Sequence, residues 1–237
     1  MEQIVIRNLG IGALIIETEK KRILIDAFNT LIEPTNVLSG DIIIFTHDDG
    51  DHFCPEKLPL VKGQDITIIG PPSIVKPVLI SGKADIEQIE VLYTNSYSEP
   101  SKMSLDQINI ICYNTRHFNH WDPLHNSYLI EMSGRRIYIT GDSTLTSEQV
   151  EIIGETDAVI CNLVDEGYLK GKDNAEIAIQ HTYDYLSKIR SECKTKMIIG
   201  VHLLAFDWTV DADKLKEYVD LQGLENIIIP VSSQQNI

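Results

Sequence analysis

The stretch THDDGDHF, Thr46 to Phe53, carries two histidines and three aspartates in the six positions from His47 to His52. It follows directly on the run Asp41-Ile42-Ile43-Ile44-Phe45, so an apolar strand delivers this polar cluster to its end. Imidazole nitrogens and carboxylate oxygens are ligands for zinc, iron and manganese. The order His47, Asp49, Asp51-His52 lets alternate side chains converge on one or two ions. Gly50 has no Cβ to obstruct the turn. The plainer reading of any one of these residues is a solvated acidic loop with capping or packing histidines. Five such residues together favour a metal site.

The remaining chain bounds the possibilities. Its 237 residues contain no Pro, Gly or Ser-rich linker, low-complexity tract or internal repeat, and a single domain over 1–237 is expected. A hydrophobic content of 43% against 23% charged residues is that of a globular chain able to bury a core. The net charge of −15 argues against a general affinity for nucleic acid or anionic membranes. A metal cluster can nevertheless reverse the field inside a cleft, so a small anionic substrate stays in view. Cys54, Cys112, Cys161 and Cys193 are widely spaced and form no Cys-x-x-Cys pair, which fits reduced thiols and a cytoplasmic location. Cys54, two residues after His52, is read as packing rather than ligating. No basic leader precedes an apolar stretch, and no apolar run approaches the roughly 18 residues of a membrane span. Nothing indicates an oligomeric state.

Taken in order, Ile4 to Ile6, Ala13 to Glu17 and Arg22 to Asp26 read as an antiparallel meander. Asp26 at its end is assigned a supporting role rather than a ligand role. A short helix is expected after Pro55, a strand over Ile66 to Ile69, and a helix opened by Pro71-Pro72-Ser73. Ile86 to Leu92 and Ile108 to Tyr113 read as strands separated by the polar stretch Thr94 to Ser104, to which no chemistry is assigned. His117, His120 and His125 then share one loop before strands Ser127 to Glu131 and Arg135 to Thr140. Thr146-Ser147-Glu148-Gln149 is a capping box, and Asp173-Asn174-Ala175-Glu176 is a second helix start. His181, on that helix, is structural or exposed. Ala158 to Val164, Met197 to Val201 and Ile227 to Ile229 complete the strands, with Asp211 capping a last helix.

Four strand runs therefore end in ligand-type residues: DIIIF in His47, Asp49, Asp51 and His52; INIICYNTR in His117; RIYIT in Asp142; KMIIG in His202. Rigid strands place such side chains at one end of a layered α/β fold. These residues are too many for one tetrahedral ion and suit two ions sharing a carboxylate.

THDDGDH, the His117 loop, TGDS and GVHLLAF, together with the opening LGIGALIIETEKKRILIDAF, resemble the metallo-β-lactamase superfamily. The resemblance is greatest to its compact lactonase-like and phosphodiesterase-like hydrolases. It implies a four-layer αββα sandwich with a dinuclear site at one sheet edge. Carried over by position, His47, Asp49 and His117 would hold one ion and Asp51, His52 and His202 the other, with Asp142 bridging. Two positions depart from the pattern: Asp49 replaces the usual second histidine, and Gly10-Ile11 replaces an early Gly-His. A carboxylate at 49 moves the metal preference from the expected zinc towards manganese or iron.

The mechanism so implied is hydrolysis of a small ester, lactone or phosphodiester by a metal-bound hydroxide. Asp51 would orient the water or take its proton, and His120 or His125 would protonate the leaving group, contact substrate or replace His117 as ligand. Phe118, Trp121 and Tyr168, with Phe206 and Trp208, are candidates to wall the pocket or to pack the loops. Rival readings are a nuclease, a non-catalytic metal-binding or regulatory protein, and a redox di-iron protein.

Overall fold

A computed structural model describes residues 2–96, 98–118, 124–163, 174–202, 204–205, 208–209 and 212–228. Strands β1 (Val5–Gly10), β2 (Ala13–Glu17) and β3 (Arg22–Ile25) form the antiparallel meander, and β4 (Ile42–Ile44), β5 (Thr67–Gly70) and β6 (Ile89–Val91) continue the sheet in parallel from β3. The second sheet contains β7 (Ser101–Leu105), β8 (Ile108–Asn114), β9 (Asn126–Met132), β10 (Arg135–Ile139), β11 (Ala158–Asn162), β12 (Met197–Val201) and β15 (Ile227–Ile228). Its order is β15-β12-β11-β10-β9-β8-β7, parallel from β15 to β10 and antiparallel from there to β7. Two short strands, β13 (Leu204–Ala205) and β14 (Trp208–Thr209), pair with each other.

The layering follows from the two-residue period of strands whose faces are both covered. Leu14, Ile16, Ile23, Ile25, Ile42 and Ile44 point into the space between the sheets, where they meet Ile110, Cys112, Tyr128, Ile130, Ile137, Ile139, Ile160 and Ile199. Their neighbours Ile15, Leu24 and Ile43 point outward, towards Ile74 and Val78 of α1 (Pro72–Ser81). On the second sheet the outward set includes Leu129, Tyr138, Val159 and Ile198. These residues are covered by α2 (Ser147–Ile153), α3 (Ala175–Glu192) and α4 (Ala212–Leu221) through Val150, Ile153, Leu186, Ile189, Leu215 and Val219. Helix, sheet, sheet, helix is the four-layer arrangement expected.

Local signals explain the helix ends. Pro72 occupies the first turn of α1, where a missing N–H costs nothing, and Gly82 ends the helix at φ +67°. Thr146 and Gln149 exchange side-chain and backbone bonds as a capping box on α2. Asn174 caps α3. Asp173 and Asp211 lie outside the described residues.

Three expectations need correction. Residues after Pro55 form turns and no helix. Ser101–Leu105, which overlaps the stretch Thr94 to Ser104 read as a polar connection, is β7, paired with β8. Ile86 to Leu92 divides into a 3₁₀ turn at Ile86–Gln88 and the short β6. Among the described residues no helix is long and apolar enough to cross a membrane.

Candidate metal centre

Strands β3, β4, β8, β10 and β12 lead at their C-terminal ends to one edge of the sandwich, where Asp26, Thr46, His47, His117, Asp142 and His202 are all buried. The THDDGDHF loop is pinned by its backbone. Thr30 donates from both N–H and Oγ1 to the Gly50 carbonyl, each at 2.8 Å, while the N–H groups of His52 and Phe53 donate to the Asp49 carbonyl at 2.8 Å. The Phe53 ring meets Phe45 edge to face at 4.9 Å.

Asp26 governs two histidines. Its carboxylate accepts the Thr46 N–H at 2.8 Å and the Thr46 hydroxyl at 2.6 Å, and its Oδ2 lies 2.7 Å from His52 Nδ1. With the Thr46 proton committed to Asp26, Thr46 Oγ1 accepts from His47 Nδ1 at 2.9 Å. Both rings are thereby set with Nδ1 as the hydrogen-bond donor and Nε2 turned into the centre, the orientation that metal-binding histidines require. This is the supporting role expected for Asp26.

Two groups of ligand atoms result, each with its atoms within 4.8 Å of one another: Asp51, His52, Asp142 and His202, and His47, His117 and Asp142. In the first, His52 Nε2 is 3.0 Å from Asp142 Oδ1, and His202 Nε2 is 3.3 Å from Asp51 Oδ2 and 3.6 Å from Asp142 Oδ2. In the second, His117 Nε2 is 3.7 Å from Asp142 Oδ2. Asp49 Oδ2 stands over this second group at 3.4 Å from His117 Nε2 and 3.7 Å from His47 Nε2. Asp142 is common to both groups.

The donor set fits divalent cations. The Nε2 atoms of His47, His52 and His202 are buried and make no hydrogen bond, although each faces a carboxylate. Buried polar atoms are ordinarily satisfied, so an inward ring of such atoms is what a bound cation would complete.

Electrostatics run the same way. Burial alone would lower the His52 pKa, but the carboxylates of Asp142 and Asp26 on its two sides outweigh burial and hold it well above its ordinary value. Burial raises the Asp142 carboxyl, yet His202 and His52 together hold it well below the carboxylate range. Asp51, also raised by burial, is brought down by His202, whose Nε2 lies 3.3 Å from Oδ2, and by His52. His47 is pushed well down by burial and then by His52 and His125.

Several supporting contacts have little sequence signal. His202 adopts φ +62° and donates its N–H to the Ile11 carbonyl at 2.8 Å, and Ile11 itself sits at φ +57°. A Cβ on Gly12 would lie 2.6 Å from His52 Cε1, so the glycine is what lets the imidazole lie against the β1–β2 turn. Asn162 Nδ2 donates to Asp142 Oδ1 at 2.6 Å. Thr46, directly before the first histidine, carried a signal in its position; Gly12 and Asn162 did not.

His125 lies at this edge but is placed differently from the reading as proton donor or ligand. It is fully buried, its Nε2 accepts the Asp142 N–H at 2.8 Å, and its Nδ1 is 2.9 Å from Thr115 Oγ1. Burial, then His117, push its pKa down to about 3. Both ring nitrogens are engaged, so neither is offered to a leaving group or an ion. Phe118 stacks on the His117 ring at 4.7 Å and donates its N–H to the Asp142 carbonyl at 2.9 Å, which braces the ligand loops. His120, Trp121, Tyr168 and Phe206, and the side chain of Trp208, lie outside the described residues.

Two facing mixed sheets, clad by helices and gathering histidines and carboxylates at one edge, define a class of α/β proteins built around a metal-binding edge. The chain belongs to the beta-lactamase superfamily domain family, which matches residues 5–183. The superfamily resemblance read from THDDGDH, TGDS and His202 thus holds. The chain is similar to a protein of Staphylococcus saprophyticus named a metal-dependent hydrolase, at 23% identity over 230 residues, 90% of this chain and 91% of that one. Its fold is similar to that of a metallo hydrolase from the archaeon Ignicoccus hospitalis (TM-score 0.64, 16% identity, 99% of this chain and 97% of that one). It is also similar to a diiron β-hydroxylase from Streptomyces venezuelae (TM-score 0.69, 14% identity, 100% of this chain but 54% of that one).

Proposed function

We propose that the chain is a metal-dependent hydrolase with a dinuclear centre, acting on a small ester, lactone or phosphodiester, an anionic one among them. The observation that carries this reading is the double ligand cluster in which Asp142 belongs to both groups. The proposed ligands are His47, Asp49 and His117 for one ion and Asp51, His52 and His202 for the other, with Asp142 between them. Divalent ions held there would lower the pKa of a water and polarise the substrate oxygen. Asp51, ionised and 17% exposed, reaches the solvent side of the centre and is proposed to orient that water and accept its proton. Phe118 is proposed to floor the substrate site through the face of its ring not stacked on His117. The names of relatives support hydrolysis, and the free thiols support the cytoplasmic location proposed from the sequence. A single domain over 1–237 is proposed with it.

Zinc is the expected ion. Manganese or iron is favoured instead to the extent that Asp49 adds a hard, anionic oxygen, and one structural neighbour is a diiron β-hydroxylase. The test is metal analysis of the purified protein with turnover of phosphodiesters, lactones and thioesters, using Asp142→Ala as control. Two ions per chain and metal-dependent hydrolysis lost in the variant are expected. Less than one ion per chain with no metal-dependent turnover overturns the reading. Bound metal without turnover across these substrates favours a regulatory metal protein.

A further inference from the structure

We infer that His125 is a positioning residue that sets the orientation of Asp142, and that it acts as a neutral imidazole locked in one tautomer by Thr115. The inference rests on the proposed metal centre and concerns a residue which that reading leaves without a task.

The geometry allows one proton arrangement. The Asp142 N–H points at His125 Nε2 at 2.8 Å, so Nε2 must present its lone pair. The ring proton is then on Nδ1, where Thr115 Oγ1 accepts it at 2.9 Å. The Thr115 N–H donates in turn to the His125 carbonyl at 3.3 Å, joining the end of β8 to the start of β9. The backbone at 141 is shaped to the same ring. Gly141 takes φ +56°, and a Cβ there would stand 2.7 Å from His125 Nε2 and 3.0 Å from Cε1. The left-handed turn that aims Asp142 into the centre and the ring that accepts its N–H are thus one fitted unit. The other sides of that ring meet His47 and His117 at centroid distances of 4.8 and 5.4 Å. His125 therefore touches all three members of one ligand group without offering any of them a donor atom.

A residue with this placement acts on metal binding through direction. Losing the Nε2 acceptor leaves the Asp142 N–H buried and unsatisfied, and the peptide at 141–142 turns to find another partner. The carboxylate turns with it. Outer partners of metal ligands are worth about 10–100-fold in metal affinity.

The test compares His125→Leu, which removes both ring hydrogen bonds, with His125→Gln, whose Oε1 can take the place of Nε2. Thr115→Val provides a third variant, removing the group that fixes the tautomer while leaving the imidazole in place. Each is loaded with manganese or cobalt, and the readouts are ions bound per chain, the cobalt d–d absorption and the manganese–manganese coupling seen by electron paramagnetic resonance. Melting of the metal-free forms is followed alongside. His125→Leu is expected to lose about 10–100-fold in affinity and the coupling signal, Thr115→Val to shift the same way by a smaller factor, and His125→Gln to restore the coupling. Wild-type affinity and spectra in both Leu and Val variants, with only the metal-free melting temperature lowered, would show a purely structural histidine and overturn the inference. Should His125→Leu not fold, Thr115→Val and His125→Gln decide the matter on the same spectra. A wild-type protein that takes up neither ion overturns the metal reading and this inference with it.

Discussion

The Asp51–His52–His202 half of the proposed centre and its proposed His47–Asp49–His117 half share Asp142 but are held by different means. The first is built into the sandwich: His52 is hydrogen-bonded to buried Asp26, its ring lies on Gly12, and His202 hangs from the Ile11 carbonyl. The rings of His52 and His202 stack at 5.4 Å. The second half has equally buried histidines, but its carboxylate, Asp49, is 43% exposed and stands 3.4 to 3.7 Å from them. Preorganised ligands lose less freedom on binding. The comparison therefore orders the two sites: the first should fill at lower metal concentration, and the second should exchange.

The most severe break of that ordering is Asp142→Ala. It removes the atom source common to both groups and should abolish stable loading of either ion, with affinity falling by more than about 100-fold, beyond the span of outer-shell effects. Metal analysis after gel filtration checks this; one ion retained per chain would mean that Asp142 is not shared. Next in size is Asp26→Asn. An amide facing His52 Nδ1 no longer fixes the tautomer, and the first site should weaken about 10–100-fold while the second, which feels Asp26 only through Thr46, weakens less. A two-step metal titration separates the two effects.

Acidity separates the halves without a mutation. In the metal-free protein His52 has a raised pKa, so its proton must leave before a cation can bind at Nε2. His47, with a lowered pKa, is already unprotonated near neutrality. Affinity at the first site should therefore climb with pH, by at most about tenfold per unit, across a range where His47 adds no pH dependence to the second. The sign reverses for the stability of the metal-free chain. A group whose folded pKa lies above its unfolded value of about 6.5 contributes in full below that value, and the contribution is lost as pH rises through the folded pKa. Above about pH 6.5, where the lowered His47 and His125 no longer contribute a slope, thermal melts of metal-free protein should accordingly fall with rising pH while titrations of the first site tighten.

The proposed ligands stand out in the sequence because they follow apolar runs whose two-residue alternation is itself legible, as in Ile42-Ile43-Ile44 before His47 and Ile137-Tyr138-Ile139 before Asp142. Their supports could not. Gly12, Asn162 and the Thr115–His125 pair matter only because the fold brings them against residues 17 to 40 positions away, or because a ring fills the space over a glycine. Strand β7 was hidden for another reason: SKMSL is a half-exposed sheet edge with little apolar signal. The helix expected after Pro55 fails through a tertiary competitor, since Lys83 Nζ takes the Pro55 and Glu56 carbonyls that helical N–H groups would need. At the centre, the fold sets the roles of residues whose types alone leave several open. His125 is the clearest instance: its neighbourhood in sequence marks it as a ligand or acid, and its two hydrogen bonds mark it as neither.

The smallest expected effect bears on how the first half is held. Ile11 is β-branched and sits at φ +57°, where Cβ crowds the backbone at a cost of roughly 1–2 kcal/mol. What it gives His202 is its carbonyl, and any residue has one. Ile11→Gly should therefore relieve the strain and keep the hydrogen bond, the gain being partly offset by the roughly 0.5–1 kcal/mol of extra chain entropy that glycine loses on folding. For a chain of this size a net gain of about 0.5 kcal/mol raises the melting temperature by roughly 1–2 °C. Affinity at the first metal site should stay within about twofold, because the turn still presents the same carbonyl to the same N–H. A lower melting temperature together with a weakened first site would mean that the isoleucine side chain itself wedges the turn against His202. The rigidity of this half would then lie in packing as well as in the backbone bond.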